Sequence, residues 1–365
     1  MTTPQVQQEI DRAPEQGVAV RSIPRCIGIL NDAAAALLIS VGHQTGLFDS
    51  MKDLPASSSE QIAAVSGCDE RYVREWLHGM TAARIVDYDP TEGTFALPSD
   101  FAAILTRAAG PNNIALITQY IAMMGEVEQL IIDRFRTGGG LSYSDYPRFH
   151  RTMSEVSAAV FDAALVHGVL PLVPGLPSRL AAGIDVADIG CGSGRAINLM
   201  AAAFPNSRFT GYDFSEPAIS QARAEATQMQ LSNADFTLSD VATLQAVDRY
   251  DLITAFDAVH DQAHPGTVLE NIRTALRDDG RLLMVEFNAS SNVEDNINVP
   301  WGGFLYAMST FHCMSVSLGL GGDGLGAAWG VQLADRMLRE AGFGRVETQT
   351  VESDPFNVYF IASKH

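Results

Sequence analysis

Basic residues are scarce in this chain: 24 lysines and arginines stand against 43 aspartates and glutamates, for a formal net charge of −19. Binding to a phosphate backbone depends on clustered Lys and Arg, so this balance argues against a nucleic acid partner. Cysteines are few as well. Cys26, Cys68, Cys191 and Cys313 stand far apart, without the paired spacing of a metal site, and no metal is expected. The chain does not open on a basic-plus-apolar leader, which together with the scattered cysteines suggests a reducing, cytoplasmic setting. No uninterrupted apolar run reaches the ~18 residues of a membrane span, so no membrane partner is expected. What the chain does have is apolar material, 47% of 365 residues, in a length that exceeds one typical domain. Two domains with sizeable cores are expected.

The most informative stretch runs from Ile184 to Gly194, an apolar segment closing in Asp188-Ile189-Gly190-Cys191-Gly192-Ser193-Gly194. It reads as a buried strand turning sharply into a helix that begins near Arg195, where the first-turn N–H groups are unpaired. Glycine suits such a turn because positive φ and close ligand approach both exclude a Cβ. The dinucleotide fingerprint is G-x-G-x-x-G; here the third glycine comes one position early, and the carboxylate of Asp188 precedes the first. That carboxylate would repel a pyrophosphate. It would welcome S-adenosylmethionine, which has no phosphate and carries a sulfonium and an ammonium. The next strand, 208–213, ends in Asp213, placed to accept from two ribose hydroxyls, and a third, 235–238, is followed by Asp240, a partner for an adenine amino group.

On these residues the chain resembles the class I S-adenosylmethionine-dependent methyltransferases. The glycine loop matches Asp188, Gly190, Gly192 and Gly194, the ribose acid matches Asp213 and the adenine-proximal acid matches Asp240; Phe214, Val241 and Phe256, beside the strand ends, complete the cofactor set. The resemblance continues through a fourth strand at 250–256, a fifth at 280–286, and two last strands at 345–351 and 357–362 that fit the antiparallel hairpin closing that fold. It implies an α/β, Rossmann-like sheet of seven strands, a methyl donor that leaves as S-adenosylhomocysteine, and ligands at the carboxyl ends of the strands.

The N-terminal third has its own pattern. A polar tail over 1–28 precedes an Ala/Leu-rich helix from Asn31 to Met51. Ser57 to Glu60 then looks like a capped start for a helix over 61–66, Gly67 makes a turn, and Asp69 opens a second helix through Tyr72, Trp76 and Met80. Residues 84–88 and 94–97 read as a hairpin with Asp89 to Gly93 at its tip. Helix, turn, helix, hairpin is the winged-helix order, assigned to 29–108. A DNA-reading helix should offer Arg, Lys, Asn or Gln to bases and phosphates; here Asp69, Glu70 and Glu75 offset Arg71 and Arg74, and the wing tip is acidic. Small-molecule O-methyltransferases similar to this chain, and actinobacterial methyltransferases of the mycobacterial type, also carry an N-terminal winged helix. In them it serves dimerisation, which implies a homodimer here.

Between the two lies a helical bridge, 109–172, with apolar residues at helical spacing over 112–135 and 148–172. Family resemblance makes it the roof of a pocket for a small-molecule acceptor, with Tyr120, Met124, His150 and Met153 as candidate contacts. A catalytic domain follows over 173–365. Its segment 288–330 interrupts the α/β alternation with Trp301, Phe304, Met308, Phe311 and His312, then the glycine-dense run 319–326, and suggests an apolar wall with a mobile cover.

Methyl transfer from a sulfonium is an in-line displacement in which alignment supplies much of the acceleration. A hydroxyl acceptor must also lose its proton, and an imidazole can take it. Ala258-Val259-His260-Asp261-Gln262, just beyond the fourth strand, resembles the His-Asp pair of plant-type O-methyltransferases, which implies His260 as base with Asp261 or Glu286 to orient it. Gln262 departs from that pattern, which has an aromatic there. N- or C-methylation by proximity alone, or a non-catalytic regulator that senses the donor, are the alternatives.

Overall fold

A computed structural model of the protein describes residues 14–351 and 354–365, with side chains from residue 22 in the N-terminal helix. Two compact units emerge, Met1–Ala122 and Met123–His365. Residues 1–13 of the expected tail lie outside the described residues. The rest of that tail is helical, because α1 (Pro14–Thr45) starts well before Asn31 and continues through Pro24. Its cause is visible in the sequence: Ile23, Ile27, Leu30, Ala34, Leu37 and Val41 repeat at alternating steps of four and three, one continuous helical stripe across the proline.

At Gly46 (φ 75°) the chain turns into α2 (Leu47–Lys52). The capped start lies within the expected stretch, but the helix begins two residues before the expected 61: Ser58 and Gln61 exchange the two bonds of a capping box at the head of α3 (Ser59–Ser66). Gly67, left-handed, ends α3, and the Asp69 carboxylate caps α4 (Glu70–Ala82). β1 (Asp87–Asp89) and β2 (Thr94–Ala96) form the wing. Phe48, Ile62, Trp76, Leu77 and Met80 fill this unit's core, and the Trp76 indole N–H donates to the Leu38 carbonyl at 2.8 Å. α5 (Ser99–Leu105) follows, and the boundary between the units falls inside α6 (Ile114–Thr137) rather than at residue 108.

The second unit contains α7 (Phe149–Ala164), a wide turn over Leu165–Val169, α8 (Leu176–Ala182) and then the alternation of β3 (Asp185–Ile189), α9 (Arg195–Ala203), β4 (Arg208–Asp213), α10 (Glu216–Gln228), β5 (Ala234–Leu238), β6 (Tyr250–Phe256), α11 (Pro265–Ala275) and β7 (Leu276–Phe287). After three short helices, α12 (Val293–Asn296), α13 (Gly302–Met308) and α14 (Met314–Gly319), come α15 (Gly330–Glu340), β8 (Arg345–Val351) and β9 (Asp354–Ser363). The seven strands order as β5-β4-β3-β6-β7-β9-β8, with β9 antiparallel to both neighbours. This is the expected sheet, closing hairpin included.

Strand alternation sends Leu252, Tyr359 and Ile361 to a core shared with α8, α9 and α10, and Ile253, Phe360 and Ala362 to one shared with α11 and α15. Because chain order reverses between β3 and β6, a crevice opens at their carboxyl ends, where ligands of such sheets bind. Two helical stretches, Ser22–Thr45 and Phe149–Leu172, are long and apolar enough by length and composition to cross a bilayer, with mean hydropathy 1.5 and 1.4. Polar and charged residues interrupt both stretches, so neither contains an unbroken apolar run of that length.

Candidate functional site

The crevice is a cleft of ≈ 140 Å³ bounded by the loops after β3, β4 and β6 and roofed by α7. Its floor is the glycine turn. Gly192, at φ 52°, has open space where a Cβ would stand, so a ligand can lie against its backbone, whereas a Cβ on Gly194 would come within 2.5 Å of Phe236 and 2.6 Å of Ala222. One glycine leaves open backbone and the other allows helix–sheet packing. The Gly192 N–H donates to Asp213 Oδ2 at 2.9 Å and the Ser215 N–H to Oδ1 at 2.8 Å. That fixes the carboxylate at the end of β4, and burial still raises its pKa.

Asp188 lies at the head of the turn, where its Oδ1 accepts from the Thr254 hydroxyl at 2.7 Å. Burial pushes its pKa up to about 7. Of the residues assigned to the cofactor, Asp188, Gly190, Gly192, Asp213, Phe214 and Phe256 line the cleft. Gly194 packs behind it, Val241 is in the sheet core, and Asp240, exposed at the end of β5, caps the turn that follows it. Open backbone at Gly192, a fixed acceptor at Asp213 and a buried carboxylate at Asp188 fit a phosphate-free cation that carries a ribose.

From the roof come His150, Met153, Ser154, Ser157 and Phe161. Phe161 packs edge-on to Phe256, ring centres 4.9 Å apart. Burial lowers the pKa of His150, and its Nε2 is 3.3 Å from Ser215 Oγ. Tyr143, from the loop before α7, closes one end. Its hydroxyl donates to Asp261 Oδ2 at 2.6 Å, and its ring meets Phe149, Phe214 and His312 edge-on.

The loop after β6 supplies Asp257, Ala258, Asp261 and Gln262 to the lining, but not His260. His260 is 2% exposed, with Nδ1 2.5 Å from Glu286 Oε2. Glu286 also accepts from the Trp329 indole N–H at 3.2 Å and the Val259 N–H at 3.2 Å. Burial opposes a charge on His260, yet the Glu286 carboxylate and the Cys313 side chain together outweigh it and leave the imidazole pKa well above its usual value. Glu286 therefore holds His260 behind the cleft wall. Asp261 holds Tyr143 rather than the imidazole.

No residue of the segment 288–330 lines this cleft. Trp301 packs on Phe356 at 4.6 Å, Met308 is buried, the Phe311 carbonyl accepts from the Tyr146 hydroxyl, and His312 stacks on Phe149 at 4.0 Å; neither these nor Phe304 line the cleft. Burial drives the His312 pKa down to about 3. Nor is the glycine run a free cover. A Cβ on Gly319 would meet the Leu141 carbonyl at 2.2 Å and one on Gly322 the Ala263 carbonyl at 2.3 Å, so these glycines allow backbones to touch. Tyr120 falls in the first unit, and Met124 is buried outside the lining. Sequence reasoning missed Tyr143 and Asp257. The first sits in a polar loop with no periodicity, while the left-handed φ of 49° at Asp257 leaves no mark in the sequence. A wider depression in the first unit, ≈ 580 Å³, is lined largely by alanine, serine and threonine, with Lys52 its one titratable side chain.

Residues 33–107 match the family described as the Rv2258c-like winged HTH domain, and residues 180–342 the one described as a methyltransferase domain. A Bacillus cereus protein named malonyl-[acyl-carrier protein] O-methyltransferase is 25% identical over 161 residues, 44% of this chain and 54% of that one. An (S)-coclaurine N-methyltransferase of Papaver somniferum is 28% identical over 109 residues, 30% and 31% of the two chains. The chain thus spans about half the length, or less, of the curated relatives it matches. Solved structures share its fold along nearly the whole length. Mitomycin 7-O-methyltransferase superposes with TM-score 0.68 at 18% identity, covering 95% of this chain and 99% of that one. Human N-acetylserotonin methyltransferase with S-adenosylmethionine gives 0.67 at 14%, covering 94% and 97%.

Proposed function

As a class I methyltransferase-fold chain with an Rv2258c-like winged-helix domain at its N-terminus, this protein, we propose, moves a methyl group from S-adenosylmethionine to the hydroxyl of a small apolar or aromatic molecule. The observation that carries this is the floor of the cleft: Asp213, fixed by the N–H groups of Gly192 and Ser215, beside open backbone at Gly192 and the buried Asp188. A pyrophosphate would sit against both carboxylates. A sulfonium and an ammonium are attracted by them.

When bound, the donor supplies an activated methyl whose C–S bond breaks, leaving its electron pair on sulfur, as the acceptor's new bond forms. This chain's residues bind, align and exclude water. Phe161, Met153 and Phe256 offer an apolar bed for the acceptor, and α7 covers it. At ≈ 140 Å³ the cleft is narrower than the roughly 300–1,000 Å³ of sites that enclose drug-sized ligands. Binding both ligands therefore displaces roof side chains. His260, held by Glu286 and enclosed, serves this reading as a buried charge beside the cleft. The acceptor's proton goes to a group that lines it.

The N-terminal unit supports a homodimer. Ile23, Ile27, Leu30, Leu37 and Val41 are all exposed on one stripe of α1, with the four-three spacing of a helix that packs on a second helix. Incubating the protein with S-adenosylmethionine and a metabolite extract, then searching for a compound heavier by one methyl, tests the activity. Recovery of donor with no methylated product across extracts, from a protein that binds the donor, would favour a sensor over an enzyme.

A further inference from the structure

We infer that Asp257 is the catalytic residue that meets the acceptor, receiving first the hydrogen bond of its hydroxyl and then its proton. The inference rests on the methyl-transfer reading and adds to it the identity of the base and the charge class of the acceptor.

Four carboxylates line the cleft, and three of them are already engaged. Asp188 accepts from Thr254, Asp213 from Gly192 and Ser215, and Asp261 from Tyr143. Asp257 differs. Its Oδ1 is sealed from solvent and has no hydrogen-bond partner among the described residues. Its backbone is pinned in place, with the N–H donating to the Val285 carbonyl at 2.9 Å. It also holds a left-handed φ of 49°, which a residue other than glycine adopts only at a cost. A left-handed backbone that holds an unused acceptor in the wall of a cleft leaves a ligand donor as the missing partner once the roof side chains give way.

The charges around Asp257 suit a proton acceptor. Burial opposes its ionisation most, Glu286 on β7, Asp354 on β9 and Asp261 in its own loop add to that, and the protonated His260 favours it. The outcome is a carboxyl group with a pKa near 7, where a general base works best at neutral pH. This assigns the buried His260–Glu286 pair a positioning role, acting on the acceptor only through Asp257.

The same inventory selects the acceptor. Arg195 is the cleft's arginine, and it is held by Asp162 and Glu225. An anionic acceptor would enter against four carboxylates with no free cation to meet it among the described residues; a neutral hydroxyl meets an unused acceptor. As the O–H proton passes to Asp257, the oxygen–methyl bond forms and the carbon–sulfur bond breaks with its electrons on sulfur. The sulfonium and the carboxylate charges vanish together, leaving an ether, a thioether and a carboxylic acid that later loses its proton to solvent.

The probes are 2-naphthol and its carboxylate counterpart 2-naphthoate, with transfer from S-adenosylmethionine followed against pH and binding to the S-adenosylhomocysteine complex followed by calorimetry. Asparagine tolerates a left-handed φ, so Asp257→Asn preserves the turn. It should lower turnover of 2-naphthol by about 10²–10⁴-fold and remove the acidic limb of the pH profile, with little change in 2-naphthol affinity. His260→Gln should keep the limb and move it to higher pH, since the cation that favours the Asp257 carboxylate is gone; this shift tests the assignment even if Asp257→Asn does not fold. Parental turnover or an intact limb in Asp257→Asn, loss of the limb in His260→Gln, preference for 2-naphthoate, or no transfer to either probe by a protein that binds the donor would each overturn the inference. A protein that does not bind S-adenosylmethionine overturns the reading beneath it instead.

Discussion

The imidazole Nδ1 of His260 lies 2.5 Å from the Glu286 carboxylate, and both side chains are almost completely buried. Removing one partner of such a pair leaves the other uncompensated, at a cost of about 3–5 kcal/mol. Glu286→Gln should therefore destabilise the catalytic unit by that order. Its pH dependence follows from the raised His260 pKa. A histidine that binds its proton more tightly in the folded state stabilises the fold fully below its unfolded value of about 6.5, and the contribution is lost as pH rises through the folded value. Urea unfolding of parent and variant at pH 6 and at pH 9.5 should show the larger difference at pH 6. An equal difference at both would mean that the pair carries no charge.

Donor binding should release protons. Asp188, raised to about 7 by burial, lines the glycine cradle, and a cation bound beside it favours its ionised form. Affinity for S-adenosylmethionine should therefore rise between pH 6 and 8, and calorimetry at pH 6.5 in buffers of different ionisation enthalpy should report protons leaving. Proton uptake would contradict the placement of the cation.

Two glycines two positions apart should fail differently. Gly194→Ala forces a Cβ against Phe236 and Ala222 and should cost stability, by about 1–3 kcal/mol as for other overpacked positions. Gly192→Ala meets no neighbour within 4 Å; beyond roughly 1 kcal/mol of backbone strain, its effect should fall on donor affinity. Thermal unfolding and calorimetry separate the two. Equal loss of stability in both variants would remove Gly192 from the cradle.

Assembly should depend on the exposed stripe of α1. Sedimentation of the parent is expected at twice 39.2 kDa. Leu30→Glu, which places a charge at the middle of the stripe, should yield a monomer, while Tyr72→Glu, at an exposed site on α4, should not. A parent monomer at micromolar concentration would contradict this use of the unit.

Local chemistry was legible in the sequence wherever neighbours in the chain are also neighbours in space. Asp188 to Gly194 dictates its own turn, Asp69 caps its own helix, and strand periodicity placed β3, β4 and β6 to within a residue. What escaped depends on long-range contact. His260 follows β6, as expected of the base, yet whether its ring faces the cleft or Glu286 is decided by β7 and Trp329. The glycines of 319–326 look like a hinge in sequence; they are spaced to let the backbones of 141 and 263 approach, a demand set by residues far along the chain. Asp257 carries its signal in a dihedral angle and an unpartnered oxygen, neither of which composition encodes.

Asp213 tests the central claim most directly, because its carboxylate is held at the strand end by two N–H groups and faces the cleft. Calorimetric titration of S-adenosylmethionine into parent and Asp213→Ala should show the variant weaker by about 10- to 100-fold, the loss expected for charge-assisted hydrogen bonds of roughly 1.5–3 kcal/mol. NAD should bind the parent far more weakly than the methyl donor. Unchanged affinity in the variant, or tighter binding of NAD by the parent, would contradict the assignment of this cleft to S-adenosylmethionine.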